Sequence, residues 1–339
     1  MPQDNQQNRL QRYWRSRKRL GLLGVMAIAS IAVGFGCDRT LSAEYPSAEY
    51  PSAERATAEQ ATNIAPASEA EATALPVNQE RATTIEKLEL PQATVHIVYV
   101  KPFSDISISV ADELMTVRSF VEALAQTGKS PMAVINGGFF DPNNAKTTSH
   151  LVVNGDRVGD PAENEGLTGN PNMQPYLPQI YNRSEFRVYD CPLVGMLTPY
   201  DITAHDAPIP DGCNLAHAIG AGPQLLPTDT SEREAFTQYE NGERIRDALG
   251  SVYPNARSAI GIHEDGSAML MMAAQRPDAP GLTLEEMAEI ADSAGAIKLL
   301  NLDGGSSSAL YYANQLHLGR LNSEGEAVER PVKSVIVVE

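Results

Sequence analysis

The chain has 339 residues, 42% of them hydrophobic and 20% charged, with 25 glycines and 23 prolines. Such a length supports a sizeable core and excludes a small disulfide-stapled module, while the balance excludes a fibrous or wholly disordered protein. A formal charge of −17 argues against a surface that tracks nucleic acid, so no nucleic-acid partner is expected.

Arg9, Arg12, Arg15, Arg17, Lys18 and Arg19 precede an apolar run from Leu20 to Gly36. A charged segment followed by a short apolar one is the pattern of an export signal or N-terminal anchor, which is the reading given to residues 1–36. Cys37 follows at once, where a lipoprotein would carry its lipid, although Gly34 stands where Leu is usual. The chain is therefore expected in the periplasm or cell envelope, touching a membrane only through this N-terminal segment. With Cys37 as the processing site, Cys191 and Cys213 remain as an even pair in an oxidising compartment, and a disulfide between them is expected.

Residues 37–84 are rich in Ala, Glu, Ser and Pro and contain the short repeat SAEYPSAEYPSAER. With few large aliphatic side chains to bury, such a segment cannot offset its ordering entropy and reads as a disordered spacer. Residues 85–339 are then expected to form one globular domain.

Within it, Thr94 to Val100 and Ile106 to Val110 read as strands, the second alternating Ile and Val with Ser. Thr116 to Gln126 reads as a helix with Thr116 as N-cap and Gly128 just past its end. Met132 to Ile135 is a buried strand ending at Asn136, and Leu151 to Val158 is a hairpin turned at Asn154-Gly155. Asp160 to Pro178, rich in Pro, Asn and Gly, is expected to be a long functional or mobile loop.

Ser258 to Ile262 and Ser267 to Ala273 form a strand pair, with Met269, Met271 and Met272 as core residues. Thr283-Leu284-Glu285-Glu286 is a capping box that opens a helix to about Ala294. Ile297 to Leu302 is a strand stopping at Asp303, and Val332 to Val338 closes the chain. The expected class is α+β, with mixed, largely antiparallel sheets and a few packed helices in a single domain.

Chemistry concentrates where strands end. In Asn136-Gly137-Gly138-Phe139-Phe140-Asp141 and Asn301-Leu302-Asp303-Gly304-Gly305-Ser306-Ser307-Ser308, an apolar strand meets a carboxylate and two glycines. The glycines let backbone N–H groups approach an anion, and a fixed carboxylate suits acid/base work. Taken singly, each is also an ordinary Asx turn. Gly220-Ala221-Gly222-Pro223 is a third glycine bend, and Arg257 stands directly before a strand, where its fork could clamp a phosphate. His150 lies nearest the Asn136 segment; His96, His205, His217, His263 and His317 read as structural or exposed.

The ordered set NGGFFD at Asn136, GAGPQLL at Gly220, RSAIG at Arg257 and NLDGGSSS at Asn301 resembles the phosphodiester glycosidase family. Asn182 to Phe186, the two cysteines and Pro331 to Val335 resemble its cyanobacterial branch. The resemblance implies an exported hydrolase that cleaves the sugar–phosphate bond of a glycosyl 1-phosphodiester, of the N-acetylglucosamine kind, in envelope or exopolysaccharide metabolism. It assigns Asp303 to acid/base or nucleophilic work, Asn136 to orientation, and Asp141 and His150 as further catalytic candidates. Arg257, Gly137, Gly138, Gly222, Gly304, Gly305 and Ser306 would bind substrate or phosphate. No cofactor is required, and a divalent ion at Asp141 or Asp303 is compatible with the residues. Two departures, Ala221 and Ser306 in place of glycines, are expected to narrow the substrate range. The alternative is a non-catalytic envelope protein that binds anionic glycans on the same turns.

Overall fold

Strand and turn signals are translated closely into structure in the computed structural model, which describes residues 84–102, 104–192 and 199–339. The expected export segment, Cys37 and the spacer short of Thr84 lie outside the described residues. Ahead of the first expected strand stands β1 (Thr84–Glu89), followed by β2 (Thr94–Val100) and β3 (Ile106–Met115), which is longer than its alternating part. Helix α1 (Val117–Gln126) starts where the Thr116 hydroxyl accepts from the Ser119 N–H. It ends where Gly128, at φ 82°, turns the chain so that the Lys129 N–H reaches the Leu124 carbonyl. Strand β4 (Ala133–Asn136) is buried along its whole length.

A short ribbon of β5 (Phe140–Asp141) and β6 (Lys146–Thr147) leads into the hairpin β7 (Leu151–Val153) and β8 (Asp156–Gly159). Asn154 and Gly155 both have positive φ at its turn, as a two-residue hairpin of this twist needs. The expected loop from Asp160 to Pro178 is instead folded into short helical turns, among them α2 (Glu165–Thr168) and α3 (Leu177–Tyr181). The reason is Asn164: fully buried, it caps α2 by accepting from the Gly166 and Leu167 N–H groups and donates to the Thr147 carbonyl.

Next come β9 (Ser184–Asp190), β10 (Tyr200–Ala204), β11 (Asn214–Gly220) and β12 (Gln224–Leu226), then the hairpin β13 (Thr237–Glu240) and β14 (Glu243–Asp247). The pair β15 (Arg257–His263) and β16 (Ala268–Ala274) is fully buried but for His263. Helix α4 (Leu284–Ser293) carries the capping box, with both reciprocal bonds between Thr283 and Glu286 made. Strands β17 (Ala296–Asn301), β18 (Ala309–Tyr312), β19 (Gln315–Leu318) and β20 (Val332–Val338) complete the order.

The strands build a six-stranded sheet in the order β1-β2-β16-β15-β17-β12 and two five-stranded sheets, β19-β18-β4-β20-β3 and β10-β9-β11-β7-β8. Every pairing among the described strands is antiparallel. One apolar cluster joins inner faces of all three, with Leu270 and Leu300 from the first, Ile135 and Ile336 from the second, and Phe186 and Ile219 from the third. Helix α1 covers the other face of the second sheet through Val117 and Phe120 against Val134, Val335 and Val337. Met269, Met271 and Met272 are buried completely. Cys191 and Cys213 form a disulfide beside the paired residues Asp190 and Asn214. Among the described residues no helix is long and apolar enough to cross a membrane.

Candidate active site

Strands β4, β11 and β17 belong to three different sheets and end beside one another, which brings the glycine-rich turns together. At the end of β4, the fully buried Asn136 donates from Nδ2 to the Asp303 carbonyl at 2.7 Å. At the end of β17, Asn301 makes the corresponding bond to the Gly222 carbonyl at 2.8 Å. The Asp303 N–H returns to the Gly137 carbonyl and the Gly222 N–H to the Asn301 carbonyl. Two of the three turns, those at Asp303 and Gly222, are thus held by the asparagine that closes another strand.

This packing explains the glycines. A Cβ on Gly138 would lie 2.1 Å from the Gly220 carbonyl oxygen, and one on Gly137 would lie 2.4 Å from the Ser334 hydroxyl. The expected role of Gly137 in binding an anion is not what its backbone does, because its N–H is bonded to the Ser334 carbonyl. Gly305 likewise donates to the Ala256 carbonyl and Gly304 to the Asp303 carboxylate at 3.0 Å. Gly222, at φ 111°, leaves room for Glu234 and Phe236.

Asp303 stands over these turns, partly buried. Burial pushes its carboxyl up to about 6, against the opposing pull of the Ser307 hydroxyl, the Arg330 charge and the Gly304 N–H. A carboxyl poised there exchanges protons near neutral pH, as a catalytic acid or base must. Arg330 donates from Nη1 to Ser306 Oγ at 3.1 Å, and its guanidinium lies 5.4 Å from the centre of the Phe140 ring. Arg320 comes to the other side of the same turn, donating to Asn255 Oδ1 beside Gly305. No carboxylate lies within ion-pair distance of either arginine among the described residues. In so acidic a chain, two such arginines at one turn suit a bound phosphate.

One expectation is corrected, and three other candidates are engaged with the protein itself. Arg257 is buried, and its guanidinium donates to the backbone carbonyls of Leu282, Leu249, Gly250 and Tyr253. It clasps the loop behind Gly304, and Arg330, which no sequence motif marked, is the cation at the turn. Asn136 spends its whole amide on protein, accepting from Ser258 Oγ and the Ala309 N–H as well. Asp141 caps its own turn by accepting from the Asn143 N–H and side chain. His150 stacks on His205 with ring centres 3.5 Å apart and bonds to the Tyr181 carbonyl, contacts that Asp303 does not share. Burial, then the neighbouring His205, lowers its pKa.

The two departures from glycine also resolve. The Ala221 methyl is buried in the main apolar cluster, so it does not narrow the site. The Ser306 hydroxyl is the anchor for Arg330. Among the described residues no three His, Cys, Asp or Glu side chains converge as a metal site requires.

No curated protein matches the chain in sequence. Among solved structures, the catalytic domain of zebrafish N-acetylglucosamine-1-phosphodiester alpha-N-acetylglucosaminidase, auto-inhibited by its pro-peptide, superposes with a TM-score of 0.56 at 13% identity, over 77% of this chain and 85% of that one. A hypothetical protein from Synechocystis gives 0.46 at 18% identity, over 75% and 61%. A putative exported protein from Burkholderia pseudomallei gives 0.47 at 16%, over 73% and 74%. At these identities the zebrafish superposition speaks for the fold. The family model described as Phosphodiester glycosidase matches residues 130–339, a stretch holding β4, β11, β17 and all three turns, and the chain belongs to that family.

Proposed function

We propose that the protein is an exported hydrolase that breaks the bond between an anomeric carbon and a phosphodiester oxygen. The observation that carries this reading is Asp303, held near pH 6 beside a turn served by Arg330 and Ser306. The departing group is a phosphate monoester, which leaves without being protonated, so one ionised carboxylate suffices on the sugar side. Asp303 activates water or attacks the anomeric carbon, Arg330 and Arg320 take the charge of the departing phosphate, and water supplies the new hydroxyl. Asn136 holds the Asp303 turn in register for this step.

N-acetylglucosamine 1-phosphodiesters are the first substrates to try, since the zebrafish structure is named for them, and envelope or exopolysaccharide turnover is the setting. The disulfide is consistent with export into an oxidising space. The test is sugar release by the purified protein from a panel of sugar 1-phosphodiesters, alongside Asp303→Ala. Turnover that disappears in a variant of unchanged melting temperature supports the glycosidase. Saturable glycan binding with no product from any diester would replace it with the non-catalytic reading.

A further inference from the structure

A second cluster of arginines lies on the Gly222 side of the converging turns, and the proposed reaction does not use it. Arg183 is 9% exposed, and its guanidinium carbon lies 3.8 Å from the centre of the Phe236 ring. Its Nε donates to the Glu234 carbonyl, and its two terminal nitrogens have no hydrogen-bond partner and no carboxylate within 4 Å among the described residues. Arg246 stacks 4.3 Å from the centre of the Tyr176 ring and donates to the Ala235 carbonyl. The two guanidiniums are close enough for Arg246 to oppose the Arg183 charge.

Glu234 attracts the Arg183 charge more strongly than Arg246 opposes it. Glu234 shares Oε1 among the Ser184 hydroxyl, the Thr230 hydroxyl and, at 3.9 Å, Arg233, while its buried Oε2 has no hydrogen-bond partner among the described residues. Asp229 is turned to Ser231, and Asp247 to Arg244 and Ser251. Arg183 and Arg246 thus hold rings, backbone carbonyls and the Met173 sulfur, with no carboxylate within 4 Å of either among the described residues. Phe236 also lies 5.6 Å from Phe139, centre to centre, which joins this cluster to the turn after β4.

We propose that Arg183 and Arg246, presented on Phe236 and Tyr176, form a second oxyanion subsite that takes a phosphate or a carboxylate. Stacking on the rings fixes both forks and leaves the two terminal nitrogens of Arg183 for bidentate contact with a planar or tetrahedral oxyanion. Arg246, bonded through Nε to the Ala235 carbonyl and through Nη2 to the Met173 sulfur, adds Nη1. A substrate reaching from the Ser306 turn to this subsite carries two anionic groups, as a repeating phosphodiester or a uronate-bearing glycan does. That last step rests on the glycosidase reading; the subsite itself does not.

Orthophosphate binding to the full chain, followed by calorimetry, tests it directly. Two sites are expected, one weakened at least about tenfold in Arg330→Gln and the other by the same factor in Arg246→Gln, the scale of a lost charge-assisted bond. Arg183→Lys, which keeps the charge and loses the fork, should weaken the second site too. Should Arg183→Lys fail to fold, the more exposed Arg246→Gln decides alone. Displacement of the second phosphate by glucuronate identifies a carboxylate site, and failure to displace it a phosphate site. A single site, or none, or two sites untouched in Arg246→Gln, overturns the subsite. Diester turnover measured in parallel separates this from the function: turnover with one phosphate site refutes the subsite alone, and two sites without turnover refute the glycosidase alone.

Discussion

Asn136 and Asp303, 167 positions apart, are joined by a 2.7 Å bond from a side-chain amide to a backbone carbonyl, across strands of two different sheets. The amide is fully buried and its oxygen accepts from Ser258 and Ala309. Asn136→Asp sets an oxygen against the Asp303 carbonyl, leaving that acceptor without its donor. An unsatisfied buried group costs about 1–3 kcal/mol, so thermal denaturation should show a loss of that size. With the turn released, kcat falls while KM changes little. Unchanged melting would show that the bond does not hold the turn.

The pH dependence follows from Asp303, whose carboxyl moves from its ordinary 3.8 to about 6 on burial. The native state holds this proton more tightly than the unfolded chain. Below pH 3.8 both states are protonated, and this group does not weaken the fold. Between 3.8 and about 6 the unfolded chain ionises first, and stability falls as pH rises. Asp303→Asn should therefore melt higher than the native sequence at pH 8 and equally at pH 3.5. Activity runs the other way: kcat/KM should rise through about pH 6 as the carboxylate forms, with no such limb in the variant's residual rate.

Arg330 acts on the same group and on the phosphate at once. Arg330→Gln removes the cation bonded to Ser306 and one of the forces holding the Asp303 carboxyl down. Phosphodiester KM should rise about tenfold or more, on the scale of a charge-assisted hydrogen bond. The acid limb should move to higher pH in the same variant. Arg330→Lys restores charge without the fork and should recover the limb better than the KM. Steady-state kinetics across pH 4 to 9 reads both effects.

Elements with their own local signals were legible in the sequence. Thr116 with Gly128, the Thr283 capping box and Asn154-Gly155 each marked a boundary through a bond made within a few residues. The Asn241-Gly242 pair, with both residues at positive φ, marks the β13–β14 hairpin by the same local chemistry. Strand β9 was hidden because Glu185 and Arg187 are buried as an ion pair at 2.6 Å, and alternation of polar and apolar residues does not reveal a strand buried on its polar face. In the site, Asp303 was legible because it ends an apolar strand before two glycines. Arg330 was not, since it reaches Ser306 from 24 positions away and no spacing encodes that contact.

The disulfide lies outside this site, closing a loop of 22 residues between β9 and β11. In the chain-entropy picture such a loop contributes about 3 kcal/mol. Reduced protein, or Cys191→Ser with Cys213→Ser, should lose stability on that scale in denaturant titration. Its kcat and KM at low temperature should match those of the oxidised protein, because the cysteines stand at the end of the β9–β11 pair opposite Gly220.

Arg257 separates a motif's position from its task. Four backbone carbonyls, those of Leu282, Leu249, Gly250 and Tyr253, receive its guanidinium, and burial lowers its pKa to about 10. A phosphate clamp would require those bonds to be given up inside a buried site, each loss costing about 1.5–3 kcal/mol for a charged donor. Arg257→Gln should therefore lower the melting temperature sharply through release of the loop from Leu249 to Tyr253. At temperatures where the variant stays folded, orthophosphate should bind at the Ser306 turn within about threefold of the native affinity, a change of less than one such bond. Calorimetry at low temperature checks this. A loss of tenfold or more in a folded variant would return Arg257 to the phosphate and leave Arg330 as its helper.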